Sequence, residues 1–445
     1  MRKLLILGAL VAAPAFAQPS PADVSEDRLR ADVERMVGFG TRHTLSAVDD
    51  PRRGIGAARD WGAAQFSAIG AACGNCLEIV RPQTTVTAER IPVPALIENV
   101  VAIQRGTERP NEVVIVQGHI DSRVSDVMDA ASDAPGANDN ASGSALVLEA
   151  ARALSRRSYP TTIVYALLSG EEQGLHGGRL MADYARQQGW TVKAVLNNDV
   201  VGGSCGSDGV CDDAHVRVFS DGTRVDAPDD LRARMRSMGG GNDSPSRNLS
   251  RFLDALAFGS GSGLDVRQVW RSDRMGRGGD HLPFLDAGFP AIRFSVAIED
   301  YEHQHQDLRT EAGVTYGDTI AEMDFPYLAR VTRLNVAALD ALARAPMPPV
   351  VDADGIVRAD VMLEWVPVPG AVSYNIWRRA TDARDWELRE TLAADPAADL
   401  NSIVLAPDRG DDWIFGVSAV AADGAESPVS SAVPGGGFYP LPATD

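Results

Sequence analysis

The chain has 445 residues, 44% of them hydrophobic, which is enough for one large domain and a smaller one. Its formal net charge of −19 argues against nucleic acid and anionic membranes as partners and suits an exported soluble protein. We expect no membrane span, because no apolar run reaches the length of about 20 residues that spanning needs.

The first 17 residues have the pattern of a secretory signal peptide. Arg2 and Lys3 precede an apolar run from Leu4 to Ala13, and a small-residue cleavage site follows at 15–17. The alternative, a membrane anchor, needs a longer run. The sequence predicts that residues 1–17 are removed and that the mature protein, which begins near Gln18, is periplasmic or secreted.

The four cysteines form two local pairs, Cys73/Cys76 and Cys205/Cys211. Behind a signal peptide, two small disulfide loops are expected from such spacing. A zinc site built from all four cysteines is the alternative, and the second pair has the wrong spacing for it. We therefore predict disulfides 73–76 and 205–211.

Residues 18–348 are predicted to form one α/β domain. Helical spacing of apolar residues or continuous apolar runs define its elements. The predicted helices are 23–36, 56–69, 142–156, 175–188 and 325–344, and the predicted strands are 99–106, 113–119, 161–169, 194–199 and 291–296. Strands that alternate with helices imply a mostly parallel sheet with helices on both faces.

A proline-rich break at 345–350 precedes a segment of different character, 355–445. Short alternating strands with Pro and Gly turns predict a small all-β sandwich, with Trp365, Tyr374 and Trp413 as core aromatics. The pattern E-W-x-P-V-x-G-A-x-S-Y and the ending A-x-D-x-x-x-E-S-P resemble a fibronectin type III domain. The segment lacks a cluster of His and carboxylates, so we assign it no chemistry.

Polar residues that can bind metal follow the predicted strands, and ligands of parallel α/β sheets bind outside the carboxyl ends of the strands. In chain order these residues are His119 and Asp121, Asp139, Glu171 and Glu172, Asp199, and His303 and His305. Two of these motifs also have a purely structural explanation: residues 138–142 could cap a helix, and the two adjacent glutamates could lie in the solvated first turn of a helix.

Taken together, two histidines and three carboxylates suit a borderline metal such as zinc. One shared carboxylate, with one His and one terminal carboxylate for each ion, would hold two ions roughly 3.5–4 Å apart. Adjacent acids at 171 and 172 face different ways, so one can bind metal while the other accepts a proton.

The segments GHIDS, PGANDNASG, SGEEQGLHG and NND, together with GGDHLPFLDAGFPAIRFS, resemble the family twenty-eight metallopeptidases of clan MH, secreted di-zinc aminopeptidases and relatives. The likeness covers about residues 95–345. It implies a zinc aminopeptidase fold and hydrolysis of N-terminal residues from peptides through a metal-bridging hydroxide. Its substrate would be a peptide, with two zinc ions per chain as cofactors.

The resemblance also implies a role for each residue. His119 and Asp199 would bind the first zinc, Glu172 and a C-terminal histidine the second, and Asp139 would bridge the two ions. Glu171 would be the general base, and Asp121 would orient His119. For the last ligand, an acid four residues later selects His303, whereas a preceding glutamine selects His305; we favour His305.

Three other interpretations remain open. Relatives on the same fold are carboxypeptidases or single-zinc glutaminyl cyclases, and some related receptor ectodomains are non-catalytic binding proteins. Loss of a ligand or of the base would mark the last class, and none is missing here. Substrate preference, which loops 202–212 and 239–280 would set, and oligomeric state cannot be predicted from the sequence.

Overall fold

The computed structural model describes residues 23–441, so the predicted signal peptide lies outside the described residues. The described helices are α1 Glu26–Val37, α2 Gly54–Ala72, α3 Ser142–Leu154, α4 His176–Gln187, α5 Asp229–Met238, α6 Pro245–Gly259, α7 Leu282–Asp286 and α8 Phe325–Arg344. None of these helices is long and apolar enough to cross a membrane.

The strands divide into a large sheet and several antiparallel units. Up to α8 they are β1 Glu78–Val80, β2 Gln83–Ala88, β3 Ile91–Glu98, β4 Val100–Gln104, β5 Arg109–His119, β6 Thr161–Leu168, β7 Thr191–Asn198, β8 His215–Phe219, β9 Asp265–Val269, β10 Ala291–Val296, β11 Arg309–Glu311 and β12 Val314–Tyr316. After α8 they are β13 Val351–Asp354, β14 Val361–Trp365, β15 Ser373–Ala380, β16 Glu387–Ala393, β17 Asn401–Leu405, β18 Trp413–Val420 and β19 Ser430–Ser431.

The large sheet has eight strands in the order β1-β4-β6-β5-β7-β10-β8-β9. Its centre, β6-β5-β7-β10, is parallel, and β4 and β8 run antiparallel to their central neighbours. The four central strands were all predicted, and the mostly parallel α/β class is confirmed. Their carboxyl ends share one edge of the sheet, which is where a site can form.

Helices cover both faces of this sheet because the side chains of its strands alternate between two apolar cores. In β5, Val114 and Val116 join the core that contains α1, α2, α3, α6 and α8. Val113 and Ile115 join the opposite core, with α4 and α7. A strand that is buried on both faces gives the continuous apolar runs seen in the sequence.

Two antiparallel sheets follow α8, β13-β14-β17 and β16-β15-β18-β19. Both contribute to one apolar core, in which the rings of Trp365 and Tyr374 meet edge to face with centroids 5.2 Å apart. Trp413 is partly buried against that core. The predicted all-β class of this segment is therefore confirmed, and its first strand begins at Val351.

Buried polar contacts fasten these sheets to the α/β part. Arg379 Nη2 lies 2.6 Å from Asp243 Oδ1, and each side chain is only 2% exposed. Arg224 Nη1 donates to the carbonyls of Gly437 and Tyr439 at 3.0 and 2.8 Å. The C-terminal sheets thus share buried charges with the α/β part.

Both predicted disulfides are confirmed. Cys73 is bonded to Cys76 after α2, and Cys205 is bonded to Cys211 in the loop that follows β7. None of the described cysteines is free.

Candidate metal centre

Three neighbouring parallel strands bring the candidate side chains to one edge of the sheet. His119 ends β5 and is paired in register with Leu168, the last residue of β6. Glu171 and Glu172 follow β6 closely, and Asp199 comes directly after β7. Because these strands run in the same direction side by side, residues distant in sequence meet where the strands end.

Asp139 reaches the same place from a turn, Ala137–Ala141, that leads into α3. A buried carboxylate holds this turn: the backbone N–H groups of Asn138 and Asp139 donate to Asp318 Oδ1 and Oδ2 at 2.8 and 2.7 Å. The sequence suggested a helix cap in this segment, and Asn140 Oδ1 does accept from the Gly143 N–H at the start of α3 at 3.0 Å, while Ser142 donates its hydroxyl to the Asn138 carbonyl at 2.6 Å.

The side chains form two groups that share Asp139. One group is His119, Asp139 and Asp199, and the other is Asp139, Glu172 and His305; within each, the possible metal-binding atoms lie within 4.8 Å of one another. His119 Nε2 is 3.2 Å from Asp139 Oδ1, whereas His305 Nε2 is 2.8 Å from Asp139 Oδ2. The two oxygens of one carboxylate thus face two different histidines.

His303 lies outside both groups, in a separate and more exposed group of possible ligands with Asp300 and Glu322 that does not include Asp139. Its Nδ1 is 2.6 Å from Asp300 Oδ2 and its Nε2 is 3.5 Å from Glu322 Oε1. His305 Nε2, in contrast, lies 3.1 Å from Glu172 Oε1. Of the two candidate histidines, the structure therefore brings His305 to the shared aspartate.

Several atoms of these groups are buried without a hydrogen-bond partner in residues 23–441: His119 Nε2, Glu172 Oε1 and Asp199 Oδ2. Burying such atoms unpaired is unfavourable, and buried charges in proteins are usually paired or bound to metal. Imidazole nitrogens and carboxylate oxygens are the donors that zinc accepts in catalytic sites. The residues present therefore suit a zinc site.

Asp121 supports the site from behind. Its Oδ1 lies 3.6 Å from His119 Nδ1, and its Oδ2 accepts from Thr44 Oγ1 at 3.0 Å and from the Glu172 backbone N–H at 3.1 Å. Burial would raise the pKa of Asp121, but its contact with His119 and these donors hold the pKa below the usual value. His119 Nδ1 lies 3.1 Å from the Asp121 backbone carbonyl, so the carbonyl and the ionised carboxylate of Asp121 can together fix the orientation of the imidazole.

Burial and neighbouring charges shift the pKa values of Glu171 and of His305. Burial raises the pKa of Glu171 well above its usual value; the charge of His119 opposes this rise, and the carboxylates of Asp199 and Glu172 add to it. For His305, burial lowers the pKa, but Glu172 and Asp139 outweigh it and raise the pKa to about 10. In the metal-free protein, Glu171 therefore holds a proton readily, which is a property of a general acid–base group.

A family model and full-length relatives identify the chain. The model of peptidase family M28 matches residues 99–323. A probable zinc metalloprotease of Leptosphaeria maculans is 42% identical over 93% of this chain and 96% of the relative. One of Pyrenophora teres f. teres is 40% identical over 95% and 86% of the two chains.

The chain belongs to peptidase family M28. It is a hydrolase of the zinc metallopeptidase class. Solved structures share its fold at low sequence identity. The Legionella pneumophila LapA aminopeptidase aligns over 73% of this chain and 74% of its own, with a TM-score of 0.51 and 17% identity. The Fimbriiglobus ruber glutaminyl cyclase aligns over 74% and 98%, with a TM-score of 0.53 and 18% identity.

Sequence reasoning missed four residues that contact the candidate ligands of the metallopeptidase. Gln304 Nε2 donates to Asp139 Oδ2 at 2.8 Å, and Asp318 holds the Asp139 backbone. Arg123 Nε donates to Glu172 Oε2, and Arg293 Nη2 lies close to Asp199 Oδ1, both at 2.9 Å. Three of them stand in or beside segments that the sequence analysis singled out: Arg123 directly follows GHIDS, Gln304 lies between the two candidate histidines, and Arg293 lies in GGDHLPFLDAGFPAIRFS.

Asp280 and His281, which lie in the GGDHLPFLDAGFPAIRFS segment, are both buried near the site. Asp280 Oδ1 accepts from the Gly178 N–H at 3.1 Å, and His281 Nε2 is 2.7 Å from the Ser272 carbonyl. Burial raises the pKa of Asp280 to about 7; the charge of His119 opposes the rise, and the charges of Asp121 and Asp199 add to it. Neither residue belongs to the two groups that share Asp139.

Proposed function

We propose that this metallopeptidase is an exported aminopeptidase that removes N-terminal residues from peptides with two zinc ions per chain. The observation that carries the proposal is the position of Asp139, whose two carboxylate oxygens each face a different histidine at 3.2 and 2.8 Å. A carboxylate placed in this way can bridge two cations, as in other two-metal sites.

Each residue has a proposed role. His119 and Asp199 bind one ion, Glu172 and His305 bind the other, and Asp139 binds both. Asp121 keeps the His119 ring oriented through Nδ1, so that Nε2 is available to the ion. The contacts of His303 with Asp300 and Glu322 support His305, rather than His303, as the last ligand.

Two bound zinc ions would supply a nucleophile from water near neutral pH and would polarise the scissile carbonyl. Glu171 accepts the proton that the attacking water loses and later delivers it to the leaving amine. Its raised pKa in the metal-free protein supports this role, because a carboxyl group that holds a proton readily can both accept a proton and donate it again.

A glutaminyl cyclase is the second candidate, because one solved cyclase shares the fold. The resemblance seen in the sequence associates cyclases with a single zinc. Here both groups around Asp139 are complete, which favours two ions and hence the aminopeptidase. A carboxypeptidase on the same fold is a further alternative, and the assays below distinguish all three.

The proposal is tested by metal content and substrate class together. We expect about two zinc ions per purified chain, hydrolysis of aminoacyl anilides, and no cyclisation of peptides with N-terminal glutamine or release of C-terminal residues. His305→Ala should retain about one zinc, whereas His303→Ala, its matched control, should retain two. A wild-type protein without zinc, or one that acts only on the other substrate classes, would contradict the proposal.

Export and domain organisation are parts of the same proposal. We propose a signal peptide at 1–17, a catalytic domain at 18–348 and a fibronectin type III-like sandwich at 355–445. The disulfides support an oxidising compartment. N-terminal sequencing of the protein recovered from the periplasm or the medium should read from near Gln18; retention of Met1 there would refute the signal peptide.

A further inference from the structure

The two terminal carboxylates of the site are held in the same unusual way. Glu172 Oε2 and Asp199 Oδ1 each lie 2.9 Å from a guanidinium nitrogen, of Arg123 and Arg293 respectively. The other oxygen of each, Glu172 Oε1 and Asp199 Oδ2, is buried without a hydrogen-bond partner in the described chain. Each arginine therefore occupies one oxygen and leaves one for a cation.

The two arginines differ in how their charge is balanced. Arg293 is fully buried and also pairs with Asp273, whose carboxylate oxygens both lie 3.1 Å from its Nη1. Among the described residues Arg123 pairs with no second carboxylate: its Nη1 donates to the Val124 carbonyl at 3.1 Å, and its Nη2 lies 2.6 Å from His305 Nδ1. Its charge therefore acts on Glu172 and His305 more fully.

The contact between Arg123 and His305 fixes the hydrogen-bonding roles of the imidazole. A guanidinium has donors and no acceptor, so Arg123 can donate to His305 Nδ1 only when that nitrogen carries no proton. An imidazole that binds zinc through Nε2 carries its proton on Nδ1 and donates it to a neighbouring acceptor. The arginine and an ion at Nε2 thus require opposite forms of the same ring.

This inference rests on the proposed two-ion site: we propose that Arg123 is a positioning residue that weakens metal binding by Glu172 and His305. Two effects act in the same direction. The guanidinium draws charge from the carboxylate and repels a cation a few ångströms away, in a partly buried setting where such repulsion is strong. Its contact with Nδ1 also favours the tautomer of His305 that has no proton on Nδ1, whereas an ion at Nε2 requires the tautomer with the proton on Nδ1. At the same time the guanidinium limits Glu172 to one available oxygen.

If Arg123 weakens metal binding, its removal should strengthen zinc binding. Loss of an ordinary supporting residue has the opposite effect and weakens metal binding by about 10–100-fold. For Arg123→Gln we expect two zinc ions per chain, with the weaker equivalent bound about tenfold more tightly than in wild type. Turnover should fall, because Glu172 is then free to rotate. Arg123→Lys keeps the charge and should retain an affinity close to that of wild type.

The measurement is zinc competition against a chromophoric chelator, made on folded, metal-stripped full-length protein, with thermal unfolding as the check on folding. Arg105→Gln is the matched control, because Arg105 is exposed and pairs with Glu78 away from the site. Unchanged or weaker zinc binding in folded Arg123→Gln would overturn the role of Arg123. A wild-type chain that binds fewer than two zinc ions would instead overturn the proposed function.

Discussion

Glu171 and Glu172 are adjacent in the chain, yet their surroundings make them chemically different. Glu172 is tied to Arg123 on one side and faces His305 on the other. Glu171 lies among other carboxylates, which together with burial raise its pKa well above the usual value. The sequence predicted that the pair divides its tasks, and the separation of their environments gives that division a physical basis.

Glu171→Gln should therefore leave both zinc ions in place and remove most of the turnover. The amide has nearly the same shape but cannot accept the proton, and general acid–base groups contribute about 10²–10⁴-fold to rate. Zinc per chain and kcat on an aminoacyl anilide measure the two effects separately. Glu302→Gln, in the loop that carries His305, is the control and should match wild type. A Glu171→Gln enzyme with wild-type kcat would refute the assignment of the base.

Asp280 predicts a pH dependence of stability in the metal-free protein. Its pKa is raised to about 7 in the folded state, chiefly by burial, against 3.8 ordinarily. Below about pH 4 both states hold the proton, so the group has no effect. As pH rises toward 7 the unfolded chain releases the proton and the folded chain keeps it, so stability falls, by at most about 4 kcal/mol.

Asp280→Asn should relieve this loss. In chelated protein the variant should exceed wild type in free energy of unfolding, with a difference that grows from pH 4 to 7 and then stays constant. Urea unfolding at several pH values checks this, and the exposed Asp286 offers Asp286→Asn as control. A difference independent of pH would show that Asp280 keeps an ordinary pKa.

At the scale of elements, the sequence was most informative where burial is complete. The helix predicted at 325–344 is α8 itself, and β6 ends one residue before the predicted 161–169. Continuous apolar runs and caps encode such elements locally. The β2–β3 hairpin, with mostly exposed or partly exposed residues, carried no such signal.

The turn that carries Asp139 illustrates what local patterns cannot reveal. It is held by Asp318, about 180 residues further along the chain. Burial raises the pKa of Asp318 to about 6, and the backbone donors of Asn138 and Asp139 oppose that rise. A contact of this separation depends on the whole fold, so the residues near Asp139 give no indication of it.

Asp318→Asn should loosen this turn, because an amide offers one acceptor oxygen and turns its NH₂ toward the second backbone donor. Since Asp139 is shared, binding of both zinc ions should weaken together, by about 10–100-fold. Chelator competition separates this result from the loss of a single ion expected for His305→Ala. Glu311→Gln, on the exposed strand β11, is the control. Selective weakening of one ion would contradict a shared role for Asp139.

At the scale of the whole molecule, the sequence predicted two parts but not how they meet. The ligands fall at strand ends because of a general property of parallel sheets, and that property could be used without a structure. The order of the strands and the pairing of Asp243 with Arg379 could not, because most neighbouring strands are not consecutive in the chain, and Asp243 and Arg379 are 136 residues apart. The C-terminal segment is consequently more closely integrated than a loosely attached module.

The Asp243–Arg379 pair allows that integration to be measured. Both side chains are 2% exposed, and Asp243 also lies 3.7 Å from the buried Arg251, so removing Asp243 leaves two buried guanidinium groups without their carboxylate, which costs about 3–5 kcal/mol. Asp243→Asn should destabilise by this amount, Arg379→Met by less because Arg251 remains beside Asp243, and the double variant by clearly less than the sum of the two. Arg358→Met is the control, because Arg358 forms a more exposed pair with Asp354 in the same sheets and should cost at most about 1 kcal/mol.

Truncation after residue 350 extends the same argument. It removes the partners of Asp243 and of Arg224, together with the Ser431 hydroxyl that accepts from Asn248 Nδ2 at 2.8 Å. We expect the truncated chain to be recovered insoluble or to unfold at a markedly lower temperature than the full chain, and to lose zinc as it unfolds. Thermal unfolding and metal content are measured on the same samples. If the effects of the single variants are additive and the truncated chain is stable and keeps its zinc, the C-terminal sheets are a separable module.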